Sequence, residues 1–419
     1  MKNCRNEKRQ SPSLNGKGHM RRILSGLTAL FILAPAVLTL GGCGNDSAAE
    51  TSNRLGEEAF AKGRYDEALV AFEQAASEDG TVAKYYSNQA LAYLKLGDDE
   101  AAMEQLQKAL SVSTQEKEVY RALGIAYMQQ GDYEQALEAF DNATNLATLI
   151  TDPVDYDVLE YRAEAQMLYN KPIAASETYT ALIGLKWNLS ENYFRRAMAR
   201  LARPDLDDEI RQAALDDFTS AVDAAGDGDF ALLIDIYYIL NGMGDNDHAM
   251  EYVNRALEAA RNDSERNLAN GEIYYFHGAY QDAIKAFLQV DDLWERSGAC
   301  LTLAASYADS GDYAGAAEVY EKCIETFGSD VRLLNELAVC EIEQEKYNLA
   351  INHLQQATAQ VDSMDLPKIR WNLVIAYEKS GQDELAYATL TSYLERYPQD
   401  RLAIEEYNTL MKKLSGQSE

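Results

Sequence analysis

The residue types in this 419-residue chain that could do chemistry are placed too far apart to share it. Beyond residue 43 the histidines are His248, His277 and His353, well separated along the chain. Metal ligation needs several converging donors, so they read as solvent-facing or partly buried helix residues. The acidic runs Asp205-Leu206-Asp207-Asp208 and Gly226-Asp227-Gly228-Asp229 do not fit calcium-loop spacing and read as solvated turns or caps. No G-x-x-x-x-G-K-S/T, G-x-S-x-G or H-E-x-x-H motif occurs. Cys300, Cys323 and Cys340 are an odd set of thiols. Cys323 and Cys340 fall at small-residue or inward places, so they read as buried small hydrophobes, with a bridge between them as the alternative. No metal, cofactor or catalytic residue is expected, and the sequence points away from an enzyme.

The elements that must position any functional surface are helices. The stretch Tyr120 to Thr148 shows them most clearly. Tyr120, Leu123, Gly124 and Tyr127 share one helical face, and Tyr133, Ala136, Leu137, Phe140 and Ala143 share another. Gly131-Asp132 between them is turn chemistry, because Gly tolerates the left-handed position and Asp caps the next helix. The turn glycines Gly63, Gly97 and Gly131 recur 34 residues apart. Pro153, Pro172, Pro204, Pro367 and Pro398 all fall between helices in this register, where a missing N–H does no harm.

This pattern resembles the tetratricopeptide repeat, a helix–turn–helix unit. The resemblance implies an all-α fold: a right-handed α–α superhelix, or TPR solenoid, of about ten repeats with a C-terminal capping helix. The repeats occupy residues 53–399, in units at about 49–82, 83–116, 117–150, 156–189, 190–228, 230–263, 264–296, 297–330, 331–364 and 367–399. The fourth unit starts late, after Asp152-Pro153, and the fifth has an enlarged turn over Ala202–Ile210. Residues 400–414 are expected to close the stack as a polar cap.

On the family's pattern, the first helix of each unit lines a concave groove. The places facing it hold Leu91, Leu94, Ile125, Met128 and Met167, then Phe194, Met198, Ile234, Tyr238, Tyr275 and Phe276, and finally Trp371. Large apolar groups on a solvent-facing side suit an apolar peptide or amphipathic helix; packing against the preceding unit is the other reading. Lys84, Arg121, Lys368 and Lys379 are too dispersed to clamp a peptide carboxylate.

Residues 1–42 read as an export signal: a basic start, an apolar run from Ile23 to Leu40, then Gly41-Gly42-Cys43. Met20 is a candidate start codon. Cys43 after Leu-Gly-Gly resembles a bacterial lipobox, which implies cleavage before Cys43 and acylation of it, with residues 43–52 as a polar linker. An uncleaved anchor is the alternative. Gly44 is not the Asp that favours inner-membrane retention in enteric-type bacteria. The first 42 residues hold seven Lys+Arg and one acid, so the rest carries a net charge of −36. Such a body repels nucleic acid. The expected function is a lipid-anchored scaffold at the cell envelope, on the non-cytoplasmic side, that binds protein or peptide partners. A solute- or glycan-binding surface lipoprotein is the alternative.

Overall fold

A computed structural model describes residues 47–146, 152–226, 228–360 and 366–416. The apolar run, Cys43, Gly44 and Asp227 lie outside the described residues. Two compact units divide between Asp229 and Phe230. No strand occurs among the described residues, and the fold is all-α.

The N-terminal body contains α1 (Ala48–Ala61), α2 (Tyr65–Glu78), α3 (Ala83–Leu96), α4 (Asp99–Val112) and α5 (Lys117–Gln129). It continues with α6 (Tyr133–Leu146), α7 (Pro153–Leu168), α8 (Pro172–Gly184), α9 (Leu189–Leu201) and α10 (Asp208–Ala225). The C-terminal body begins with α11 (Phe230–Gly242), α12 (Asn246–Ala259), α13 (Asp263–Phe276), α14 (Tyr280–Phe287) and a 3-10 turn at Leu293–Glu295. Then follow α15 (Ser297–Asp309), α16 (Tyr313–Phe327), α17 (Val331–Glu343), α18 (Tyr347–Ala359), α19 (Leu366–Lys379), α20 (Asp383–Arg396) and α21 (Arg401–Leu414).

Each odd-numbered helix through α19 packs on the even-numbered helix that follows it, and each even-numbered helix on the next odd one within its body. Successive odd-numbered helices also touch directly, as in α1–α3, α3–α5, α5–α7, α13–α15 and α17–α19. The odd-numbered helices therefore form the inner side of each body.

The hairpin core is a small residue against an aromatic ring. Phe140 on α6 is fully buried, and a Cβ built on Gly124 of α5 would stand 2.4 Å from its ring. Only glycine lets the two backbones close over that ring. Burying such a ring stabilises a hairpin by about 1.5–3 kcal/mol. Gly56 with Phe72 and Gly271 with Phe287 repeat the arrangement. The turn between the helices of a hairpin is left-handed at Gly63, Gly97 and Gly131, and Asp132 then caps α6 by accepting from Gln135 N at 3.2 Å. In two hairpins Asn170 (φ 59°) and Glu345 (φ 61°) occupy that turn without being glycine.

The structure departs from the expected boundaries in four places. Helix α1 starts at Ala48, inside the stretch 43–52 expected to be a linker, because Ser47 caps it by accepting from Glu50 N at 3.1 Å. Helix α7 starts at Pro153, earlier than 156, because Asp152 and Asp155 form a capping box and proline suits the first helical position. The fifth turn is shorter than expected, because Asp207 caps α10 by accepting from Ile210 N at 2.8 Å. Helix α14 ends at Phe287, and Val290 and Leu293 then turn into the core. The prolines also divide: Pro153, Pro172 and Pro367 occupy first turns of helices, whereas Pro204 and Pro398 lie between helices. The last helix, expected to be a polar cap, exposes Leu402, Ile404, Met411 and Leu414, although Lys413 pairs with Asp383 at 2.7 Å.

Candidate functional site: the inner faces of the two bodies

In the N-terminal body the inner face is built on α3, α5, α7 and α9. The sequence-expected groove residues divide here. Leu94, Phe194 and Met198 are 5%, 3% and 2% exposed and belong to the core, so they do not line an open surface. Met167 is buried with them. For Leu94 the reason is the closeness of α3 and α5: it packs in one cluster with Ala122 and Ala126, whose small side chains admit it, whereas Phe194 packs on the Phe218 ring of α10 at 5.8 Å. Leu91, Ile125 and Met128 are half-buried and remain at the surface.

Sequence reading missed the charges of this face. Asp157, Glu160 and Glu164 lie along one side of α7, spaced i, i+3, i+7. Arg121 of α5 pairs with Asp157 at 2.9 Å. On α9, Arg195 pairs with Glu191 at 2.6 Å. Glu160 accepts from Trp187 Nε1 at 3.1 Å and from Asn188 Nδ2 at 3.2 Å. Burial raises the pKa of Asp157 against the pull of Arg121. Burial likewise raises Glu160 and Glu164, and the neighbouring carboxylates add to it. Burial opposes the charge on Arg195, but Tyr179, Glu191 and Glu164 outweigh it and raise its pKa. The spacing of the three carboxylates on a first helix was the signal available in the sequence.

The C-terminal body has a different inner face. Tyr237 and Tyr238 of α11 donate to the two oxygens of Glu272 on α13, at 2.8 and 2.5 Å. Burial pushes Glu272 up to about 7, although Tyr238, Tyr237 and Thr302 all stabilise its charged form. Gly298 at the start of α15 makes room for this: a Cβ there would stand 2.6 Å from the Tyr238 ring. Tyr275 donates to Asp309 at 3.1 Å. Beside it, Tyr274 and Phe276 are 39% and 42% exposed. Ile234 is buried, Tyr238 and Tyr275 are half-buried, and Trp371 packs half-buried against the core that contains Leu334 and Leu373. Of the residues expected to line the groove, Phe276 is the most open.

The histidines and cysteines lie apart from these faces or in contacts of their own. His248 pairs with Asp245 at 2.8 Å and His353 with Glu341 at 2.9 Å. Among the described residues no group of His, Cys, Asp and Glu is arranged to hold a metal ion. Cys300, Cys323 and Cys340 are all buried, and none of them is in a disulfide. The thiol beside Cys323 is Cys300, whose hydrogen bond raises Cys323 and lowers Cys300. The alternative of a Cys323–Cys340 bridge is therefore set aside. Cations near the inner side are already paired, Lys84 with Glu57 at 2.8 Å and Lys368 with Glu336 at 3.1 Å.

Comparison with known proteins agrees with this architecture. Tetratricopeptide-repeat models match residues 49–81, 90–131, 117–148, 238–263, 301–364 and 370–400. No curated protein sequence matches the chain. Among solved structures, the human IFIT1 dimer with PPP-AAAA is 13% identical, covers 80% of this chain and 87% of its own, and has a TM-score of 0.42. A thermophilic tetratricopeptide protein of Thermus thermophilus is 23% identical, covers 46% of this chain and 99% of its own, and has a TM-score of 0.37. The Cut9–Hcn1 hetero-tetramer of the APC/C is 15% identical, covers 88% of this chain and 91% of its own, and has a TM-score of 0.35. The repeat models fall in both bodies and include the hairpins closed by Gly56 with Phe72 and by Gly124 with Phe140, and the chain belongs to the tetratricopeptide-repeat family.

Proposed function

We propose that the chain is a non-enzymatic scaffold, tethered to a bacterial envelope membrane by lipid on Cys43, that binds protein partners on the inner faces of its odd-numbered helices. Phe276, exposed at the end of α13, carries the reading. Aromatic side chains left open to water on an otherwise packed helix are the usual anchors of a protein interface. The net charge of −36 after residue 42 turns away nucleic acid and anionic lipid surfaces. No described helix is long and apolar enough to cross a membrane. Attachment is assigned to acylation of Cys43 on the resemblance of Leu40-Gly41-Gly42-Cys43 to a lipobox, and two or more acyl chains hold far more firmly than one.

A glycan-binding function is disfavoured by its own platforms. Trp187 stacks on Tyr156 at 4.4 Å, Trp294 is covered by Lys322 at 3.4 Å, and Trp371 rests against the core. Each ring already has one face engaged, which leaves at most one for a sugar.

Two measurements test the proposal. Metabolic labelling with a palmitate analogue is expected to mark the wild-type chain and not Cys43→Ser, which leaves the membrane fraction; equal labelling of both removes the lipid tether. A photo-crosslinking residue at Phe276 in whole cells is expected to capture protein; recovery of none removes the scaffold reading.

A further inference from the structure

Helices α7 and α9 are spaced differently from the inner helices before them. Helices α1, α3, α5 and α7 pack successively on one another, whereas α7 and α9 pack less closely. Side chains span the interval instead: Tyr156 stacks on Trp187 at 4.4 Å, and Trp187 and Asn188 reach Glu160.

Four carboxylates face this interval, and their exposure is graded. The Glu191 side chain is 41% exposed, Glu160 is half-buried and Glu164 is 8% exposed. Asp157 lies one turn away on the same side of α7. The two guanidiniums present are engaged with the outer members, Arg121 with Asp157 and Arg195 with Glu191. Glu160 is left with neutral donors only. Glu164 Oε1 is enclosed and has no hydrogen-bond partner. A buried acceptor without a donor is costly, and a charged one more so. An entering N–H cation supplies the missing donor and adds a second positive charge to that of Arg195, whose field already reaches both Glu160 and Glu164. An acidic or purely apolar segment supplies neither.

We propose that the α5–α7–α9 inner face takes up a basic segment of the partner protein, with a Lys or Arg side chain inserted between Glu160 and Glu191 toward Glu164. The inference rests on the reading of the inner face as the partner site and names the chemistry of the partner. The cation enters at the half-open carboxylates and completes the unmet acceptor at the floor. It also lowers the carboxylate pKa values that burial has raised.

The test uses the full chain in detergent and three fluorescein-labelled peptides on one apolar framework, carrying Lys, Gln or Glu at matching positions. Fluorescence anisotropy is expected to show the Lys peptide binding about tenfold tighter than the Gln peptide at ~50 mM salt, with the preference shrinking as salt rises. The double substitution Glu160→Gln and Glu164→Gln is expected to bring the two peptides within about threefold while leaving the Gln peptide unchanged. Its melting temperature is expected to be no lower than wild type, because it removes unmet charge. Glu134→Gln with Glu138→Gln, on the exposed side of α6, is expected to keep the preference. Equal binding of Lys and Gln peptides, or binding of none, overturns the inference. So does an equal loss from the α6 pair, which would mark a diffuse charge effect. Crosslinking from Phe276 is read separately, so a captured partner with no Lys preference leaves the scaffold standing and removes only the basic segment.

Discussion

The inner faces of the two bodies are made on the same hairpin frame and carry opposite kinds of chemistry. In the N-terminal body, α5, α7 and α9 present carboxylates and guanidiniums within one another's reach. In the C-terminal body, α11, α13 and α15 fold a single carboxyl away under two tyrosines and leave aromatics open. The comparison separates two sets of positions. Those that close a hairpin keep a small residue against a ring in both bodies. Those on the inner face are released from packing and differ. A solenoid tolerates this, because each hairpin depends mainly on its neighbours.

The largest expected effect sharpens the shared half of that comparison. Phe140→Ala is expected to cost ~3–5 kcal/mol, because the ring fills the space that Gly124 leaves. Phe287→Ala against Gly271 is expected to match it in the other body. Hydrogen exchange on each variant is expected to speed up first in the hairpin that carries the change. Exchange unaltered at either hairpin would break the claim that both bodies use one core.

The next effect isolates the difference. Glu272 has a folded pKa of about 7, above its ordinary value of 4.5. A carboxyl raised in this way binds its proton more tightly folded than unfolded. Its contribution is therefore full at low pH and is lost as pH rises from about 4.5 to about 7. The loss is on the order of 3 kcal/mol, reached above pH 7. Glu272→Gln is expected to remove this part of the decline in urea titrations at pH 5 and pH 8. A decline of the same size in the variant would show that another group causes it; Glu378, which burial and then Glu406 push up to about 7, is that group's first candidate.

The smallest effect concerns a turn. Glu345 holds the left-handed place that Gly63, Gly97 and Gly131 fill elsewhere. A side chain there costs about 1–2 kcal/mol, so Glu345→Gly is expected to stabilise its hairpin by ~1 kcal/mol. A lower melting temperature would contradict the assignment.

The sequence made the frame legible, because its signals are local. A glycine at the turn, an aspartate after it and a ring facing a small residue each act within one hairpin, and they recur. The inner faces were legible only in part. Leu94, Phe194 and Met198 have the composition of a binding surface, and whether they meet water depends on how closely a neighbouring helix comes, α5 for Leu94 and α10 for Phe194. For Leu94 that distance is set by residues such as Ala122 and Ala126, one repeat away. Asp157, Glu160 and Glu164 were hidden for a different reason. In a chain with 68 Asp+Glu, a carboxylate on a helix usually faces solvent, and the i, i+3, i+7 spacing of these three was too faint a mark to stand out from the rest. The early start of α7 was visible as Asp152-Pro153 with Asp155, a capping pattern that outweighs the repeat register.

The claim that the odd-numbered helices form the partner-binding side is tested most directly by photo-crosslinking from both sides of both bodies in living cells. Ile125 and Phe276 report the inner faces, and the exposed Val70 on α2 and Leu349 on α18 report the even-numbered helices. Discrete protein adducts are expected from Phe276, with or without adducts from Ile125, and none of comparable yield from Val70 or Leu349. Adducts from Val70 or Leu349 alone, or equal yields from all four, would contradict it.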